Sequence, residues 1–409
     1  MEQPQKKTEK KTEKKTEVET RTGEGAVSRT GGDAKAQAGE SPGAAAPDGP
    51  VDQVARMATL FTPWALRTGV TLGLFDLIDE GIGAPALLAR RAGADEDAVQ
   101  RLLRHLANLG LLDGSSDGYR LTASGSVLTS GHPSGLARGL DQSDAWAAAG
   151  DRAVPALLSA VTTGAPSWAE VAGAPFWETL ANDAPLAASF DAAMSAHAGA
   201  VGPWLATAWD WSGAGRVADI GGGTGGTLRD VLVRHPHLRG TLVDLPGTVG
   251  RAADAFGVEQ ELAGRVDFAP GSFFDPLPGG HDVLVLAHVL HDWNDDDCVR
   301  LLRRCAEAVV GGGSVLVVDR VVEDAAAPGQ LAVSQRDLAM MILLGGKERT
   351  GEEFRLLGKA AGLTPRRPPV PAPHEGLCLL EFGRSGGDEG GSGDGGEDGD
   401  GDGVGQGQG

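Results

Sequence analysis

Cysteine is scarce in this sequence. Its 409 residues include three cysteines, Cys298, Cys305 and Cys378, and no two of them form a Cys-X-X-Cys pair. An odd and sparse set without that spacing argues against a disulfide framework and against a zinc site built on cysteine. We therefore expect three buried thiols in a protein of the reducing cytoplasm.

Long apolar runs and basic residues are also scarce. The N-terminal segment carries charges without an apolar core, and no run of apolar residues is long enough to span a bilayer, so neither a secretory signal nor a membrane span is predicted. Lysine and arginine number 36 against 56 aspartates and glutamates, which gives a net charge of −20. That balance argues against a protein whose main task is to bind nucleic acid.

Both ends of the chain have compositions that cannot form a core. Residues 1–48 include a near-repeat of Lys-Lys-Thr-Glu, and residues 385–409 contain seven acidic residues, no basic residue and thirteen glycines. Such segments bury too little apolar surface to fold, so both are predicted to be disordered. The residues between them exceed what one core usually accommodates, and two domains are expected, over 49–160 and 161–384.

Helical patterns dominate residues 51–211. From Val51 onwards apolar residues recur at spacings of three and four, and Pro63, Gly69 and Gly73 are the expected breaks. Residues 141–211 are rich in alanine and contain six of the eight tryptophans. Those rings either line a pocket for a flat aromatic ligand or fill a core.

The first domain has the outline of a winged helix. A helix ending near Asn108 is followed by a short strand, a turn over 114–118 and a second strand over 119–122. A winged-helix domain can serve in dimerisation or in DNA binding. The residues that would contact DNA are Arg90, Arg91, Arg101 and Arg104.

From Arg216 the pattern changes to strands that alternate with helices. The strands are continuously apolar, which indicates a parallel sheet that helices cover on both faces. The fold class expected is therefore α/β, with a Rossmann-like doubly wound sheet in the second domain. Ligands of such sheets bind beyond the carboxyl ends of the strands, so the residues directly after each strand are the most informative.

The first strand ends in a glycine-rich loop that follows an acid. Asp219 precedes Gly-Gly-Gly-Thr-Gly-Gly over 221–226. Glycines permit a tight turn and the close approach of a ligand. A carboxylate at this point would repel a pyrophosphate, but it suits the ammonium group of a ligand such as S-adenosylmethionine. No Gly-Lys-Ser or Gly-Lys-Thr follows, which argues against a Walker loop, and a plain structural turn is the alternative.

The second and third strands end in further candidate contacts. Asp244 lies 23 positions after Gly221, where an acid can accept hydrogen bonds from both hydroxyls of a ribose. Ser272 and Phe273 follow the third strand and could hold the edge and the face of an adenine. One of Phe273 and Phe274 could instead belong to the core.

The fourth strand leads into two histidines, His288 and His291. Their spacing invites a metal site, but no cysteine pair or third ligand lies nearby in the sequence, so no metal is predicted. His291 follows the strand end, where such sheets bind ligands. With an ordinary pKa of about 6.5 it could be neutral at cytoplasmic pH and accept a proton from a phenol. A core histidine is the alternative to a general base.

Two acids are candidates for orienting the His291 imidazole. Asp319 closes the fifth strand, and Glu348 lies in Gly-Gly-Lys-Glu-Arg-Thr over 345–350. A carboxylate on the far ring nitrogen fixes the tautomer and stabilises the imidazolium. The spacing alone does not show that either acid reaches His291, and the 345–350 segment could also be a plain turn.

The sequence resembles the S-adenosylmethionine-dependent small-molecule O-methyltransferases of the caffeic acid, acetylserotonin and actinomycete polyketide-tailoring type. The resemblance extends over residues 51–383 and is carried, in this order, by DIGGGTGG, VDLPGTV, GSFFDPLP, VLHDWNDDDC and GGKERT. It implies a winged-helix-like dimerisation domain, an S-adenosylmethionine-binding methyltransferase domain of class I and a homodimer. It also implies a place in secondary metabolism, such as antibiotic biosynthesis.

The resemblance implies roles for individual residues. His291 matches the catalytic base, with Asp319 and Glu348 as the acids beside it. The implied contacts of the cofactor are Asp219, Gly221, Gly223, Asp244, Leu245, Ser272, Phe273 and Ala287. The implied contacts of the acceptor are Trp146, Phe190, Met194, His197, Asp292 and Met341. Plant members usually carry Asp in place of Ser272 and Lys in place of Ala287, so these two contacts depart from the family pattern.

The activity implied is transfer of a methyl group from S-adenosylmethionine to a hydroxyl of a small aromatic acceptor, such as a phenolic polyketide. Some polyketide-tailoring relatives lack the histidine and use the fold for hydroxylation or decarboxylation. This chain keeps His291, which favours methyl transfer over those alternatives. A DNA-binding regulator is a more distant alternative, and contact with nucleic acid or membrane is not expected.

Overall fold

The computed structural model describes residues 49–385, apart from positions 258, 260, 263, 374 and 375 and the side chains of 197, 198 and 200. The segments predicted to be disordered, 1–48 and 385–409, lie outside the described residues except for Ser385. The chain divides into two compact units, Met1–Thr59 and Leu60–Gly409. The described part of the first unit contains one helix, α1 (Pro50–Ala58), which begins with proline and buries none of its residues.

The second unit begins with helices and a two-stranded ribbon. These elements are α2 (Phe61–Thr71), α3 (Leu74–Asp79), α4 (Pro85–Ala92), α5 (Glu96–Asn108), β1 (Leu112–Ser115), β2 (Gly118–Leu121), α6 (Ala123–Ser126) and α7 (Leu136–Leu140). Asp95 caps α5 through the Ala98 N–H, and β1 pairs with β2 in antiparallel register directly after that helix. The winged-helix outline is confirmed, and its elements share a core of their own.

Two of the three expected helix breaks are wrong. Pro63 is the third residue of α2, where a backbone N–H would have no partner inside the helix. Gly69 also lies inside α2, and a β-carbon there would lie 2.9 Å from the Phe75 ring, so this glycine allows close packing. Gly73 is the actual break, with a φ of 65°.

Five helices follow before the large sheet. They are α8 (Ala145–Ala153), α9 (Leu157–Thr163), α10 (Trp168–Ala172), α11 (Phe176–Asn182) and α12 (Ala184–Ala208). Asp144 and Asp183 cap α8 and α12 with their side chains. The helical content expected for residues 141–211 is therefore confirmed.

The remaining elements build one eight-stranded sheet with helices on its faces. They are β3 (Arg216–Ile220), α13 (Gly226–Arg234), β4 (Arg239–Asp244), α14 (Pro246–Gly257), β5 (Val266–Pro270), β6 (His281–Ala287), α15 (Asp295–Ala308), β7 (Val309–Arg320), α16 (Gln330–Leu343), α17 (Gly351–Ala360), β8 (Leu363–Pro365), β9 (Val370–Pro371) and β10 (Leu377–Arg384). The strand order is β5-β4-β3-β6-β7-β10-β8, with β9 paired to β10. Strands β3 to β7 are parallel, and β10 is antiparallel to β7.

Alternate residues of the central strands point into two separate cores. Leu284 and Leu286 belong to one core, whereas Val283 and Val285 belong to the other. Apolar residues on both faces explain why the strands are continuously apolar. The Rossmann-like doubly wound fold is confirmed. Its strand order reverses between β3 and β6, so the ligand crevice lies at the carboxyl ends of these two strands.

The cysteines and the helices of the fold bear on two expectations from the sequence, buried thiols and no membrane span. Cys298, Cys305 and Cys378 are unpaired and buried, as expected, and burial raises the pKa of Cys298 to about 12. Among the described helices, none combines the length and the apolar character needed to cross a bilayer.

Candidate active site

The loop between β3 and α13 requires glycine at successive positions. Gly221 and Gly223 adopt φ values of 69° and 60°, in the left-handed region that side chains disfavour. A β-carbon on Gly222 would lie 2.5 Å from the Asp219 carboxylate. The loop can therefore bring its backbone close to Asp219 and to a ligand only because these three residues have no side chains.

Asp219 is buried under this loop, and the Leu228 backbone N–H offsets only a small part of the effect of burial on its pKa. Neither of its carboxylate oxygens has a hydrogen bond of good geometry within the part of the chain that is described. Burial, together with the negative charge of Asp244, raises the pKa of Asp219 to about 7. An unpaired buried carboxyl is costly, so the site favours a ligand that brings a positive charge. The ammonium group of S-adenosylmethionine fits this requirement.

Asp244 ends the neighbouring strand and holds the loop. Its Oδ2 accepts a hydrogen bond from the Gly223 N–H at 2.8 Å, and its Oδ1 accepts one from the Leu245 N–H at 2.7 Å. Each oxygen keeps a second lone pair that a ribose hydroxyl can use. Burial raises the pKa of Asp244, so a ligand that donates hydrogen bonds here would stabilise its ionised form.

Phe273 borders the loop on another side. Its ring lies 3.4 Å from the position of a β-carbon on Gly221. Phe273 packs edge-to-face with Phe274 and Trp293, at centroid separations of 5.1 Å and 5.7 Å. Both phenylalanines are half-buried and pack against the core, so a core position is confirmed for each, and a ligand contact at Phe273 stays a prediction.

The other expected cofactor contacts lie at strand ends around the loop. Ser272 is exposed, and its hydroxyl oxygen accepts a hydrogen bond from the Phe274 N–H at 3.2 Å. Ala287 is the half-buried last residue of β6, and Leu245 follows β4 with 45% of its surface exposed. Ser272 and Ala287 offer backbone groups and small side chains, where plant members of the family usually carry Asp and Lys.

Helix α12 contacts the glycine-rich loop. The hydroxyls of Ser195 and Thr224 are hydrogen-bonded at 2.8 Å, and Asp191 forms an ion pair with Arg251 of α14. Two expected acceptor contacts, Phe190 and Met194, lie on this same helix and are half-buried. His197, a third, has its side chain outside the described residues.

A kink after β6 leads into the histidine region. His288 has a φ of 56°, and no other non-glycine residue among those described has a positive φ. Its N–H donates to the Val318 carbonyl at 2.9 Å, which ties the kink to β7. The chain then forms a short 3₁₀ turn over Leu290–Asp292. The kink places His291 in a buried position at the crevice.

His291 contacts three acids. Its Nδ1 lies 2.8 Å from Asp319 Oδ1 and 3.6 Å from Glu348 Oε1, while its Nε2 lies 3.4 Å from Asp292 Oδ1. The Nδ1 contacts lack the near-linear geometry of a hydrogen bond and are mainly electrostatic. The fold therefore brings together His291 and both acids, which sequence spacing could not show.

These acids change the proton affinity of His291. Burial lowers its pKa, but the charges of Asp319, Asp292 and Glu348 outweigh burial and raise the pKa to about 9. The expectation of a neutral imidazole near neutral pH is therefore wrong for the ligand-free site. Burial raises the pKa of Glu348 to about 7 and that of Asp292 to about 6, whereas the charge of His291 keeps the pKa of Asp319 low despite burial.

Sequence reasoning missed the function of Arg349. This side chain is fully buried and donates to the carbonyls of Leu290 and Trp293 at 2.8 Å and 2.7 Å. It also pairs with Asp295 at 2.8 Å. Arg349 thus holds both ends of the turn that carries His291. In the sequence, the signal that could have pointed to Arg349 was its position directly after the candidate acid Glu348.

Gly346 explains why this segment is more than a plain turn. A β-carbon on Gly346 would lie 2.0 Å from the His291 carbonyl oxygen. The Glu348 N–H donates to Asp337 Oδ1 of α16 at 2.8 Å. The 345–350 segment therefore packs backbone to backbone on the turn that carries His291 and fixes Glu348 beside it.

The fold adds a third possible metal ligand to the histidine pair. Atoms of His288, His291 and Asp319 lie within 4.8 Å of one another, the one such group found among the described residues. His291, with a pKa raised to about 9, is protonated near neutral pH and paired with Asp319, whereas burial lowers the pKa of His288 to about 3 and leaves that imidazole neutral. A protonated imidazole cannot coordinate a metal. The absence of a metal remains a prediction.

A cluster of aromatic rings extends from the helical region to the turn that carries His291. Trp146 and Phe190 pack edge-to-face at 5.0 Å, and Trp177 stacks on Trp293 at 6.3 Å. Met341 of α16 packs against the same cluster and is half-buried. Trp168 and Phe176 are buried, so the tryptophan-rich segment provides both core and partly accessible rings.

Comparison with known proteins identifies the family. A model of the O-methyltransferase domain matches residues 155–364, and a model of the O-methyltransferase dimerisation domain matches residues 57–131. The chain belongs to the S-adenosylmethionine-dependent O-methyltransferases. Its cofactor is therefore S-adenosylmethionine, as expected. The second match covers the winged-helix region and favours dimerisation over DNA binding.

Three relatives illustrate the range of the family. The chain is 41% identical to the 2,7-dihydroxy-5-methyl-1-naphthoate 7-O-methyltransferase of Streptomyces carzinostaticus, over 76% of this chain and 92% of the relative. It is also 41% identical to the aclacinomycin 10-hydroxylase RdmB of Streptomyces purpurascens, over 75% and 82%. The crystal structure of the O-methyltransferase NcsB1 from neocarzinostatin biosynthesis, with S-adenosylmethionine and 2-hydroxy-5-methyl naphthoic acid, matches with a TM-score of 0.72 and 38% identity, over 83% of this chain and all of NcsB1.

Proposed function

We propose that this O-methyltransferase methylates a hydroxyl group of a small aromatic acceptor, such as a phenolic polyketide, with His291 as the general base. The observation that carries the proposal is the position of His291, which is buried 2.8 Å from Asp319 and lies two residues before the ring cluster at Trp293. The aromatic acceptors named for two relatives support it.

The cofactor would lie across the carboxyl ends of β3, β4 and β6. Asp219 would bind its ammonium group, Asp244 its ribose and Phe273 its adenine. The backbone of the glycine-rich loop and the strand-end positions complete the proposed set: Gly221, Gly223, Leu245, Ser272 and Ala287. Bound there, S-adenosylmethionine supplies a methyl group that its sulfonium activates.

The residues of the chain would orient the acceptor and move its proton. His291 would take the hydroxyl proton at Nε2, because Nδ1 faces Asp319 and Glu348. Asp319 would stabilise the resulting imidazolium. The proposed acceptor contacts, which hold the ring in line and exclude water, are Trp146, Phe190, Met194, His197, Asp292 and Met341.

The rate of methyl transfer should depend on pH through His291. Only the neutral imidazole accepts a proton, so kcat/KM should rise with pH up to an inflection near or below the ligand-free pKa of about 9. A bound sulfonium lowers that pKa by charge repulsion. Asp319→Asn removes the charge that contributes most to raising the pKa, so the inflection should move to lower pH in a pH profile of this variant. An unchanged inflection would assign the profile to the acceptor phenol instead.

Cofactor binding should depend on pH through Asp219. The carboxyl has a pKa of about 7 without ligand, and a bound ammonium group favours its ionised form. The affinity for S-adenosylhomocysteine should therefore rise as pH increases through 7 and then level off. Calorimetric titration between pH 5.5 and 8.5 measures this rise. In Asp219→Asn the affinity should be lower at pH 8, and its rise around pH 7 should disappear; a persisting rise would contradict the assignment.

We also propose a homodimer, with residues 49–160 as the dimerisation domain and 161–384 as the methyltransferase domain. The ranges of the two family matches support this division. Three apolar side chains are largely exposed in the single chain: Leu60, Phe61 and Leu158. Their exposure supports an interface with a second copy of the chain. The proposal involves no nucleic acid and no membrane surface.

A mass-resolved assay tests the proposed function. The enzyme is incubated with S-adenosylmethionine and a panel of phenolic polyketides, flavonoids and catechols. A product heavier than its acceptor by one methyl group, together with S-adenosylhomocysteine, is expected. Similarity to the hydroxylase RdmB makes oxygen insertion the specific alternative. Gain of one oxygen atom, loss of carbon dioxide, or cofactor binding with no product from any acceptor would contradict methyl transfer.

A further inference from the structure

Helix α16 carries one arginine on its inward face. Val333, three residues before Arg336, and Met340, four residues after it, are 1% and 7% exposed. Leu331 and Leu338, on the opposite face, are 73% and 40% exposed. Since residues three and four apart share a helix face, Arg336 lies on the side of α16 that packs inward, where it is half-buried.

Arg336 has no ion pair and no hydrogen bond of its side chain to any described residue. Three other arginines that are buried or half-buried have ion-pair partners: Arg67 with Asp151, Arg349 with Asp295 and Arg367 with Glu381. Partial burial of a guanidinium without an acceptor is unfavourable. Arg336 therefore has the properties of a residue whose partner is a ligand.

The position of Arg336 places it beside the catalytic cluster. The next residue, Asp337, accepts a hydrogen bond from the Glu348 N–H at 2.8 Å, which anchors this turn of α16 to the catalytic acid. Burial raises the pKa values of Asp292 and Glu348. The positive charge of Arg336 lowers both pKa values, by less than burial raises them. The guanidinium is thus near these acids, but beyond ion-pair distance from either.

We infer that Arg336 binds a carboxylate group that the aromatic acceptor carries in addition to the hydroxyl to be methylated. This inference rests on the proposed function, because it places the acceptor between α16 and His291. A guanidinium pairs with a carboxylate through two parallel hydrogen bonds. The naphthoates named for two relatives are hydroxylated aromatic carboxylates, and in the first of them the methylated 7-hydroxyl lies on the ring that does not carry the 1-carboxylate.

The surrounding charges favour a singly charged group over a phosphate. Asp292, Asp319 and Glu348 lie within 3.6 Å of the His291 ring and would repel a dianion. Among the described residues, the positive charges at this end of the crevice are Arg336, Arg320, protonated His291 and Arg349, of which Arg349 is paired with Asp295. Arg320 has interactions of its own, and His291 must lose its proton before it acts as base. Arg336 is thus the cation best placed to neutralise one carboxylate.

Binding to the complex with S-adenosylhomocysteine tests this inference without requiring turnover. The probes are two matched pairs, 3-hydroxy-2-naphthoic acid with 2-naphthol and salicylic acid with phenol, titrated by calorimetry. The wild type should bind the better acid at least about tenfold more tightly than its phenol. Arg336→Met should weaken binding of that acid by roughly 10- to 100-fold and leave the phenols unchanged. Arg336→Lys should recover part of the loss.

Arg355→Met is the matched control, because Arg355 is exposed on α17 and pairs only with Glu352. It should bind every probe as the wild type does. The inference is overturned if neither acid binds more tightly than its phenol, if Arg336→Met weakens acids and phenols equally, or if it weakens S-adenosylhomocysteine instead. Acid binding that depends on Arg336 without methylation of any acceptor would contradict the proposed function rather than the carboxylate site.

Discussion

Replacing His291 with alanine should lower kcat for methyl transfer by about 10²- to 10⁴-fold. The acceptor hydroxyl would then lose its proton to water or buffer, because alanine offers no acceptor in place of Nε2. Affinity for S-adenosylhomocysteine should be nearly unchanged, since the proposed cofactor contacts, at the ends of β3 to β6, do not include His291. Fixed-time product assays measure kcat, and calorimetric titration measures the affinity for S-adenosylhomocysteine separately.

The removal of a buried imidazolium leaves Asp319 and Glu348 without their counter-charge, so the fold of the variant must be checked. His291→Asn keeps a polar side chain between the acids and should show a similar loss of kcat with a melting temperature closer to wild type. His237→Ala, on an exposed histidine, is the control and should retain full activity. Equal losses of kcat and of cofactor affinity in both His291 variants would indicate a structural role.

Arg349→Met should affect stability as well as activity. The variant leaves the buried carbonyls of Leu290 and Trp293 without donors, so the free energy of unfolding should fall by about 2–4 kcal/mol. The turn that carries His291 would relax, and misplacement of a catalytic group by about 1 Å can cost about 10²-fold in rate. Urea unfolding measures the first effect, and kcat at a temperature where the variant is folded measures the second.

Arg355→Met is the control for this prediction. Arg355 pairs with Glu352 one turn away on the exposed face of α17, and surface pairs of this kind contribute little. Its unfolding free energy should stay within about 0.5 kcal/mol of the wild type. If Arg349→Met kept both stability and kcat, the buried hydrogen bonds to the turn would not be what positions His291.

Much of the candidate site could be predicted because its residues follow strands that local patterns identify. Asp219, Asp244 and His291 each lie at or just after the carboxyl end of a continuously apolar segment. A parallel sheet brings such ends to one edge whatever the lengths of the connecting helices. The direction of each strand therefore sufficed to place these residues together.

The properties of His291 could not be predicted in the same way. Its pKa depends on burial and on three acids, of which Asp319 and Glu348 are distant in sequence. The expectation based on the ordinary pKa was wrong because charge interactions over 2.8–3.6 Å in a buried site exceed the cost of burial. Likewise, the sequence suggests only a turn at Gly346 and Arg349, whereas in the structure Gly346 packs on the His291 carbonyl and Arg349 donates to the Leu290 carbonyl.

By itself, the sequence determined the alternation of strands and helices, the glycine-rich loop and the family, because these depend on local periodicity and short motifs. The tertiary structure decided which acids surround His291, which arginine braces its turn, and which arginine remains unpaired on α16. These are contacts between segments far apart in the chain, and their energies depend on distance and burial that arise only when the sheet and its helices have packed.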